Sequence, residues 1–587
     1  MGKMKKLLYV SQLLGSPHSL ENFTRLSTKR DIKHLQKVQK SSYRLGSNPW
    51  LSLPPCHVEQ HLVKLADRRI YFRSITGFIR KCKNHRLRWG PNLLPACQLH
   101  RKTVFRILPK TQKEFDSIQT IYRNSTDLDL NFWKAGKDVN GFWDVMVESG
   151  KNEDYLLNYL GNRSINHIRT IDDVEKLIVE RKVRATKDSF WRRMKDDSSG
   201  ASYDFTNYGS YQQMIDWMKA LVRKYPGFVQ LIHIGTTTEG RPIHGVEIGS
   251  SDLSRRVFWI DGGIHAREWA APHTALFHIH QLTSRKDEDA IKKLFDEITF
   301  IIIPCLNPDG YEFSRSSNNP HVRLWRKNRS AVKCRKDIWG RNRCCRGVDL
   351  NRNFDFHFKE TGSSDDPCSE IYQGTGAFSE PETRAVRDAV LSKRYRGRMD
   401  GFITLHTYSQ IWIHPYGHKK DSYPGDIKEL YEVGKKAAKA LKRLYGTKYV
   451  VGSGADTLYP ASGGSEDWVK HAANVKYVYL LELRPDERNW DGFILDEKQL
   501  IPTARETWEG IRVVIEAAYE MIISKKKETN IPASAPTARG FRFGNGTEGT
   551  CYDLRHACKK WVSEREDLCK TVPLFMRENC AYSCDYC

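Results

Sequence analysis

An imidazole and a carboxylate stand three residues apart in His265-Ala266-Arg267-Glu268, just after the apolar run Val257-Phe258-Trp259-Ile260. A pair emerging where a strand ends suits zinc, which in a hydrolytic site takes three ligands from His and acidic residues and keeps a fourth position for water. With 20 His in the chain, about one His-x-x-Glu arises by accident, usually as a solvated surface pair. A third ligand is therefore required. His406 closes the run Gly401-Phe402-Ile403-Thr404-Leu405, projects from a second strand end and completes a set of two His and one Glu. Glu482 ends a third run, Tyr477-Val478-Tyr479-Leu480-Leu481. A carboxylate there is partly desolvated, so its pKa rises toward that of a general base for water. The competing reading of Glu482 is an ion pair with Arg484 or another Arg.

These positions need a frame. From about Ser202 to Lys525 helices and strands alternate, the pattern of an α/β core. Strands are read at Val257 to Asp261, Phe300 to Pro304, Gly401 to Leu405 and Lys476 to Leu481, each dense in β-branched or aromatic residues. Met214, Trp217, Met218, Leu221 and Val222 recur at helical spacing and read as core. Ahead of this region, residues 102–182 read as a small α/β unit. Its strands are Val104 to Ile107 and Phe142 to Val147, and its helices are Gln112 to Ile121 and Asp172 to Arg181. A polar segment, 183–201, follows Arg181-Lys182 and carries Arg184 and Arg192-Arg193, as an exposed trypsin-like cleavage region does. Residues 526–550 read as a linker rich in Pro, Ala and Gly.

At 587 residues the chain is long enough for roughly three to five domains. Its net charge of +25 resembles that of a nucleic-acid binder, but residues 1–100 hold 19 Lys and Arg against 4 Asp and Glu, +15 of the excess. Residues 1–101 are thus a basic extension without an assigned fold. It shows no nucleic-acid signature, and its deletion should not abolish the principal function. No apolar run reaches the ~18 residues of a membrane span, and Met1 to Leu14, broken by Ser11 and Gln12, makes a poor signal peptide. Six of the 14 cysteines, Cys551, Cys558, Cys569, Cys580, Cys584 and Cys587, lie in the last 37 residues, a density that so small a core needs as disulfide staples. Six such thiols imply an oxidising, extracellular compartment. The tripeptides at Asn124, Asn162 and Asn545 agree as glycan acceptors.

Over roughly residues 103–525 the chain resembles the A/B-type zinc metallocarboxypeptidases, pro-region included. The motifs run in order: His265-Ala266-Arg267-Glu268-Trp269, Asn307-Pro308-Asp309-Gly310-Tyr311, Arg323-Leu324-Trp325-Arg326-Lys327, Gly347-Val348-Asp349-Leu350-Asn351-Arg352-Asn353-Phe354, His406-Thr407-Tyr408-Ser409-Gln410, Tyr459-Pro460-Ala461-Ser462-Gly463-Gly464-Ser465 and Glu482-Leu483-Arg484. The resemblance implies a mixed sheet flanked by helices, an α/β fold over 202–525, preceded by an activation pro-domain over 102–182. It implies one Zn²⁺ on His265, Glu268 and His406, Glu482 as general base, and Arg326 holding the oxyanion. It further implies Arg352 with Asn351 and Tyr459 clamping the C-terminal carboxylate of a peptide or protein, and Arg267 touching substrate further from the scissile bond, the competing reading of Arg267 being a local ion pair with a neighbour. By the same resemblance Glu466 is expected at the floor of the side-chain pocket, with Gly454 on its wall and Leu480 near the floor. B-type relatives carry an acid there, which selects Lys or Arg and penalises an apolar side chain by about several kcal/mol. The B-type pattern has Asp, so Glu466 makes a shallower pocket.

Also by resemblance, the chain is a secreted zymogen opened by a trypsin-like protease, Cys345 bonds Cys368, and Cys334 with Cys344 closes an adjacent loop; Cys305 reads as a buried free thiol. Residues 551–587 resemble an ShK-like toxin domain, with implied pairs Cys551–Cys587, Cys558–Cys580 and Cys569–Cys584. Channel-blocking members carry Lys-Tyr where this chain has Leu574-Phe575, so a matrix or protein partner, or a plain cap, is the expectation for this domain. Two alternatives stand beside the basic-specific peptidase: an A-type preference for apolar C-termini, and a catalytically silent extracellular matrix-binding protein.

Overall fold

A computed structural model describes residues 101–182, 203–337 and 339–529 and, within 557–585, all but 566, 574, 575, 577–579 and 581. In the first stretch, strands β1 (Lys102–Leu108), β2 (Asn131–Lys134), β3 (Trp143–Glu148) and β4 (Asn166–Ile171) form an antiparallel sheet of order β2-β3-β1-β4. Helices α1 (Gln112–Arg123) and α2 (Lys151–Gly161), and α3 over 174–182, accompany it. The two-residue period of a strand divides its side chains between two cores. Phe105, Ile107, Trp143 and Val145 pack with Phe115 and Ile118 of α1 and Leu156 and Leu160 of α2. Val104 and Met146, from the opposite face, join Trp133, Val174 and Ile178 against Leu324, Tyr408, Phe493 and Ile494. The small sheet is thereby fastened onto the large one. The sequence reading contained β1, α1, β3 and α3 but lacked β2, α2 and β4. β2 has only four residues, and β4 buries only Ile171 fully, so neither shows a readable alternation.

The main sheet comprises β5 (Val229–Thr236), β6 (Pro242–Ile248), β7 (Arg256–Gly262), β8 (Ile298–Ile303), β11 (Met399–Ser409), β12 (Ile411–His414), β13 (Val450–Ser453) and β14 (Tyr477–Asp486); β9 (Lys333–Lys336) and β10 (Asn342–Cys345) form a separate hairpin. The order is β13-β12-β14-β11-β7-β8-β6-β5, with β14, β11, β7 and β8 mutually parallel, β12 antiparallel to β14 but parallel to β13, and β6 antiparallel to both β8 and β5. The flanking helices are α4 (Tyr211–Lys224), α5 (Ala270–Ser284), α6 (Ile427–Tyr445), α7 (Ser465–Ala472) and α8 (Leu500–Thr529). Phe258, Ile260, Phe300, Ile302, Ile403 and Leu405 face α4, α5, α6 and α8. Val257, Trp259, Ile301, Ile303, Phe402 and Val478 face the other side, where Trp468 and Val469 of α7 pack. Both faces are buried, which is why these strands read as continuous apolar runs.

Two expectations change. β11 and β14 continue beyond His406 and Glu482, so both residues sit inside strands rather than at their ends, and the parallel register pairs them directly. The helix α8 reaches Thr529, so residues 526–529 of the expected linker are helical. Residues 1–100, the connecting segment 183–201 and linker residues 530–550 lie outside the described residues, as do the Cys551–Cys587 pair, Asn545 and Leu574-Phe575. The bonds Cys334–Cys344, Cys345–Cys368, Cys558–Cys580 and Cys569–Cys584 are present, and Cys305 is free and buried. Among the described residues no helix is long and apolar enough to cross a membrane.

Candidate metal centre and substrate cleft

The register of the parallel strands assembles the centre. Leu405 of β11 pairs with Gly262, the last residue of β7, and Glu482 of β14 pairs with His406. The turn after Gly262 then carries His265 and Glu268 to the same side. Ligand atoms of His265, Glu268 and His406 lie within 4.8 Å of one another, all three residues being buried. Nδ1 of His265 is 2.8 Å from Glu268 Oε1 and 3.2 Å from Nδ1 of His406. Two imidazole lone pairs and a carboxylate so close repel unless a cation lies between them, and the N, N, O donor set suits zinc. Asp349 Oδ1 lies 3.0 Å from His265 Nε2, so the imidazole donates its Nε2 proton there and turns its Nδ1 lone pair toward the other two ligands. Nε2 of His406 is buried and has no partner among the described residues.

Glu482 carries a second buried orphan, its Oε2. Arg484 does not neutralise it, because Arg484 is engaged by Glu506 and Gln499. Burial, then the carboxylate of Glu268, pushes the Glu482 carboxyl up to about 8, against the opposing pull of His406 and Arg326. A bound dication pulls it back toward neutrality. Arg326 is held by Asp349, with Nε and Nη2 donating to Oδ2 at 3.0 and 2.8 Å, and its Nη1 is 3.8 Å from Glu268. Arg352 donates Nε to the carbonyl of Gly362 and Nη1 to that of Asn351, both at 2.8 Å, which leaves Nη2 for a ligand. Asn351 is fixed in turn by the backbone N–H of Ser465, which donates to its Oδ1 at 2.9 Å.

His265, Glu268, Arg326, Asn351, Arg352, His406, Tyr459, Glu466 and Glu482 all line one cleft. Ile413, Gly417, Gly454, Gly464 and Leu480 line it too, with Gly417 and Gly464 close to the Glu466 carboxylate and Gly454 against Gly417 and Ile413. Glu466 is 7% exposed, receives Ser465 Oγ at 3.5 Å and has no cationic partner among the described residues. Asp467 beside it is held well above the usual carboxylate range by burial and by Glu466, with Oδ2 accepting from the Gly417 N–H at 2.7 Å. Of these two neighbouring acids only Glu466 lines the cleft. Arg267 is the one expected residue that does not line the cleft. It is 3% exposed, stacks over Phe493 at 4.1 Å and reaches Glu370 at 3.5 Å.

Two contributions escaped the sequence reading. Asp349, buried between His265 and Arg326, stood in a quoted motif but had no role; its place two residues before Asn351 was the available signal. Trp133 and Lys134 of β2 also line the cleft, so the activation sheet itself forms part of the wall. Ion pairs cross between the activation region and the catalytic part: Lys134 with Glu487, Arg181 with Asp491 and Asp496, Arg335 with Asp127, and Arg343 with Asp129.

Comparison with known proteins follows the same division. Residues 214–510 match the zinc carboxypeptidase family, 105–181 the carboxypeptidase activation peptide and 550–587 the ShK domain-like family. Carboxypeptidase B of Astacus astacus is 39% identical over 311 residues, covering 53% of this chain and 97% of that protein. Carboxypeptidase A2 of Mus musculus is 34% identical over 414 residues, covering 70% of this chain and 93% of that protein. Among solved structures, thrombin activatable fibrinolysis inhibitor superposes with a TM-score of 0.61 at 30% identity, over 72% of this chain and 99% of that one. Carboxypeptidase A of Helicoverpa armigera superposes with a TM-score of 0.63 at 28% identity, over 72% and 98%.

Proposed function

The chain belongs to the zinc carboxypeptidase family, and on that premise we propose that it is a secreted B-type exopeptidase which, once cut by a trypsin-like protease, removes Lys or Arg from C-termini. Relatives of both A and B name share its fold, so the preference rests on the cleft's own chemistry. The carrying observation is Glu466, a buried carboxylate that lines the cleft and has no cationic partner among the described residues. An ammonium or guanidinium supplies the missing charge; an apolar side chain leaves the carboxylate dry and unpaired, at a cost of about several kcal/mol.

Each remaining role follows from the contacts above. His265, Glu268 and His406 are the zinc ligands; when bound there, zinc supplies Lewis acidity that sharpens water as a nucleophile and a peptide carbonyl as an electrophile. Arg352, steadied by two backbone carbonyls, takes the substrate carboxylate with Asn351 and Tyr459, which restricts cutting to the last peptide bond. Glu482, with its orphaned Oε2, takes a proton from water and delivers it to the leaving amine. Arg326, pinned by Asp349, stabilises the developing oxyanion. Arg267 supports the far side of the substrate through Phe493. The ShK-like region engages a matrix or protein partner, and the four described disulfides support an oxidising compartment.

The test is the rate of release of C-terminal Lys, Arg, Phe and Leu from otherwise identical peptides after limited trypsin treatment. Lys and Arg should lead by about 100-fold, and Glu466→Ile should reverse the order. Phe released as fast as Lys by the unmodified enzyme assigns it to the A-type instead.

A further inference from the structure

One acidic side chain of the catalytic part meets the cleft only through the activation sheet. Lys134, on β2, lines the cleft together with His265, Glu268 and Glu482, and its ammonium is paired with Glu487 just beyond the end of β14. Side-chain exposure is 14% for Lys134 and 35% for Glu487, so the pair is neither fully wet nor dry. The preceding residue, Trp133, fits against Phe493 at a ring distance of 5.9 Å and against Gly492, whose φ of +52° and lack of a Cβ let the indole approach. Glu487 follows the end of β14, five residues beyond Glu482 of the same strand, whereas Glu466 sits on α7, so Lys134 meets its partner on the β14 side of the cleft. No other cation pairs with Glu487 among the described residues. Nearby Asp491 and Asp496 likewise have Arg181, also from the activation region, as their cation.

We propose that Glu487 is a specificity-determining acidic subsite for a Lys or Arg upstream of the scissile bond, occupied in the zymogen by Lys134 as a stand-in for that substrate side chain. This rests on the carboxypeptidase reading of the cleft. The substrate class becomes narrower than a single basic terminus: C-terminal tails in which basic residues follow one another. Departure of the activation sheet removes Lys134 and Arg181 together and leaves Glu487, Asp491 and Asp496 as an acidic rim. A peptide whose last side chain reaches Glu466 passes this rim with its earlier residues. Cutting off one basic residue brings the next to the floor, so such tails are trimmed stepwise.

The experiment uses the full chain, activated by limited trypsin and then freed of trypsin activity by inhibitor. Peptides carry Lys, Ala or Glu at the second, third or fourth position from the end, in two sets that terminate in Lys and in Phe. At one of these positions Lys should raise kcat/KM about threefold over Ala and Glu should lower it, the size expected of a partly exposed ion pair. Glu487→Gln should bring the Lys peptide down to the level of the Ala peptide, and Glu487→Lys should make the Glu peptide the better one. A Lys-to-Ala ratio that is the same in Glu487→Gln as in the unmodified enzyme overturns the subsite. Because the terminal residue is constant within each set, a failed preference for terminal Lys shifts whole sets and leaves the upstream ratio readable. Binding of the same peptides, labelled and followed by fluorescence anisotropy, gives the same ratio without turnover; charge independence there also overturns the proposal.

Discussion

The metal wall of the cleft and the surface beneath the activation sheet are both rich in charge, but they balance it in opposite ways. In the wall, Asp349 holds His265 and Arg326 and Glu268 meets both, at 2.8 to 3.8 Å, all within one fold and nearly without solvent. Beneath the sheet, the pairs Lys134–Glu487, Arg181–Asp491, Arg181–Asp496, Arg335–Asp127 and Arg343–Asp129 each take one partner from either side. A network closed on itself keeps its geometry when a neighbour departs. A network shared across a boundary comes apart there, and its pairs, being partly exposed, each contribute only about 0.2–1 kcal/mol. The difference separates a site built in advance from a cover built to leave.

The strongest challenge to that contrast is Glu482→Gln. The loss of the base should lower kcat of the activated chain by about 10²- to 10⁴-fold while elemental analysis finds zinc at its usual stoichiometry. Loss of zinc together with activity indicates that the wall is not self-contained. Arg181→Ala probes the other side with a smaller effect. Removing one guanidinium that serves two carboxylates should weaken retention of the cut activation segment by about fivefold to tenfold, measured as its Kd, with the difference shrinking at high salt. The kcat of the freed enzyme should not change, since Arg181 departs with the segment. The smallest effect concerns Glu497, next to Asp496. Burial, followed by the charges of Asp204 and Asp496, pushes its carboxyl up to about 7. A folded pKa above the unfolded one means that its stabilising contribution is complete below about 4.5 and is lost as pH rises through about 7. Glu497→Gln should therefore flatten the fall in Tm between pH 5 and 8 by about 1–2 °C. An unchanged slope would show that Glu497 titrates normally.

The readable parts of this protein are those whose physics is local. β7, β8, β11 and β14 are buried on both faces, so each advertised itself as an apolar run, and His265, Glu268, His406 and Glu482 stood out as polar residues at the margins of such runs. The helix Tyr211–Lys224 showed its buried stripe for the same reason. The strand Asn131–Lys134 showed nothing, because its meaning lies in a partner about 350 residues away; the Lys134–Glu487 separation is 353. For Arg267 the resemblance implied a substrate contact and the residues alone allowed a local ion pair; its guanidinium stacks on Phe493 and reaches Glu370, partners that only the fold identifies.

Residue types and their order made the metal set readable, two imidazoles and a carboxylate for zinc, and supplied the candidates for the other roles: a further carboxylate, two guanidinium groups and a second acid. Tertiary structure alone decided which of them meet. The pairing of His406 with Glu482, the bridging of His265 and Arg326 by Asp349 and the entry of Lys134 into the cleft all depend on strand register and sheet packing. Those are set by apolar burial summed over the whole fold, and a short stretch of sequence carries only its own share of that sum.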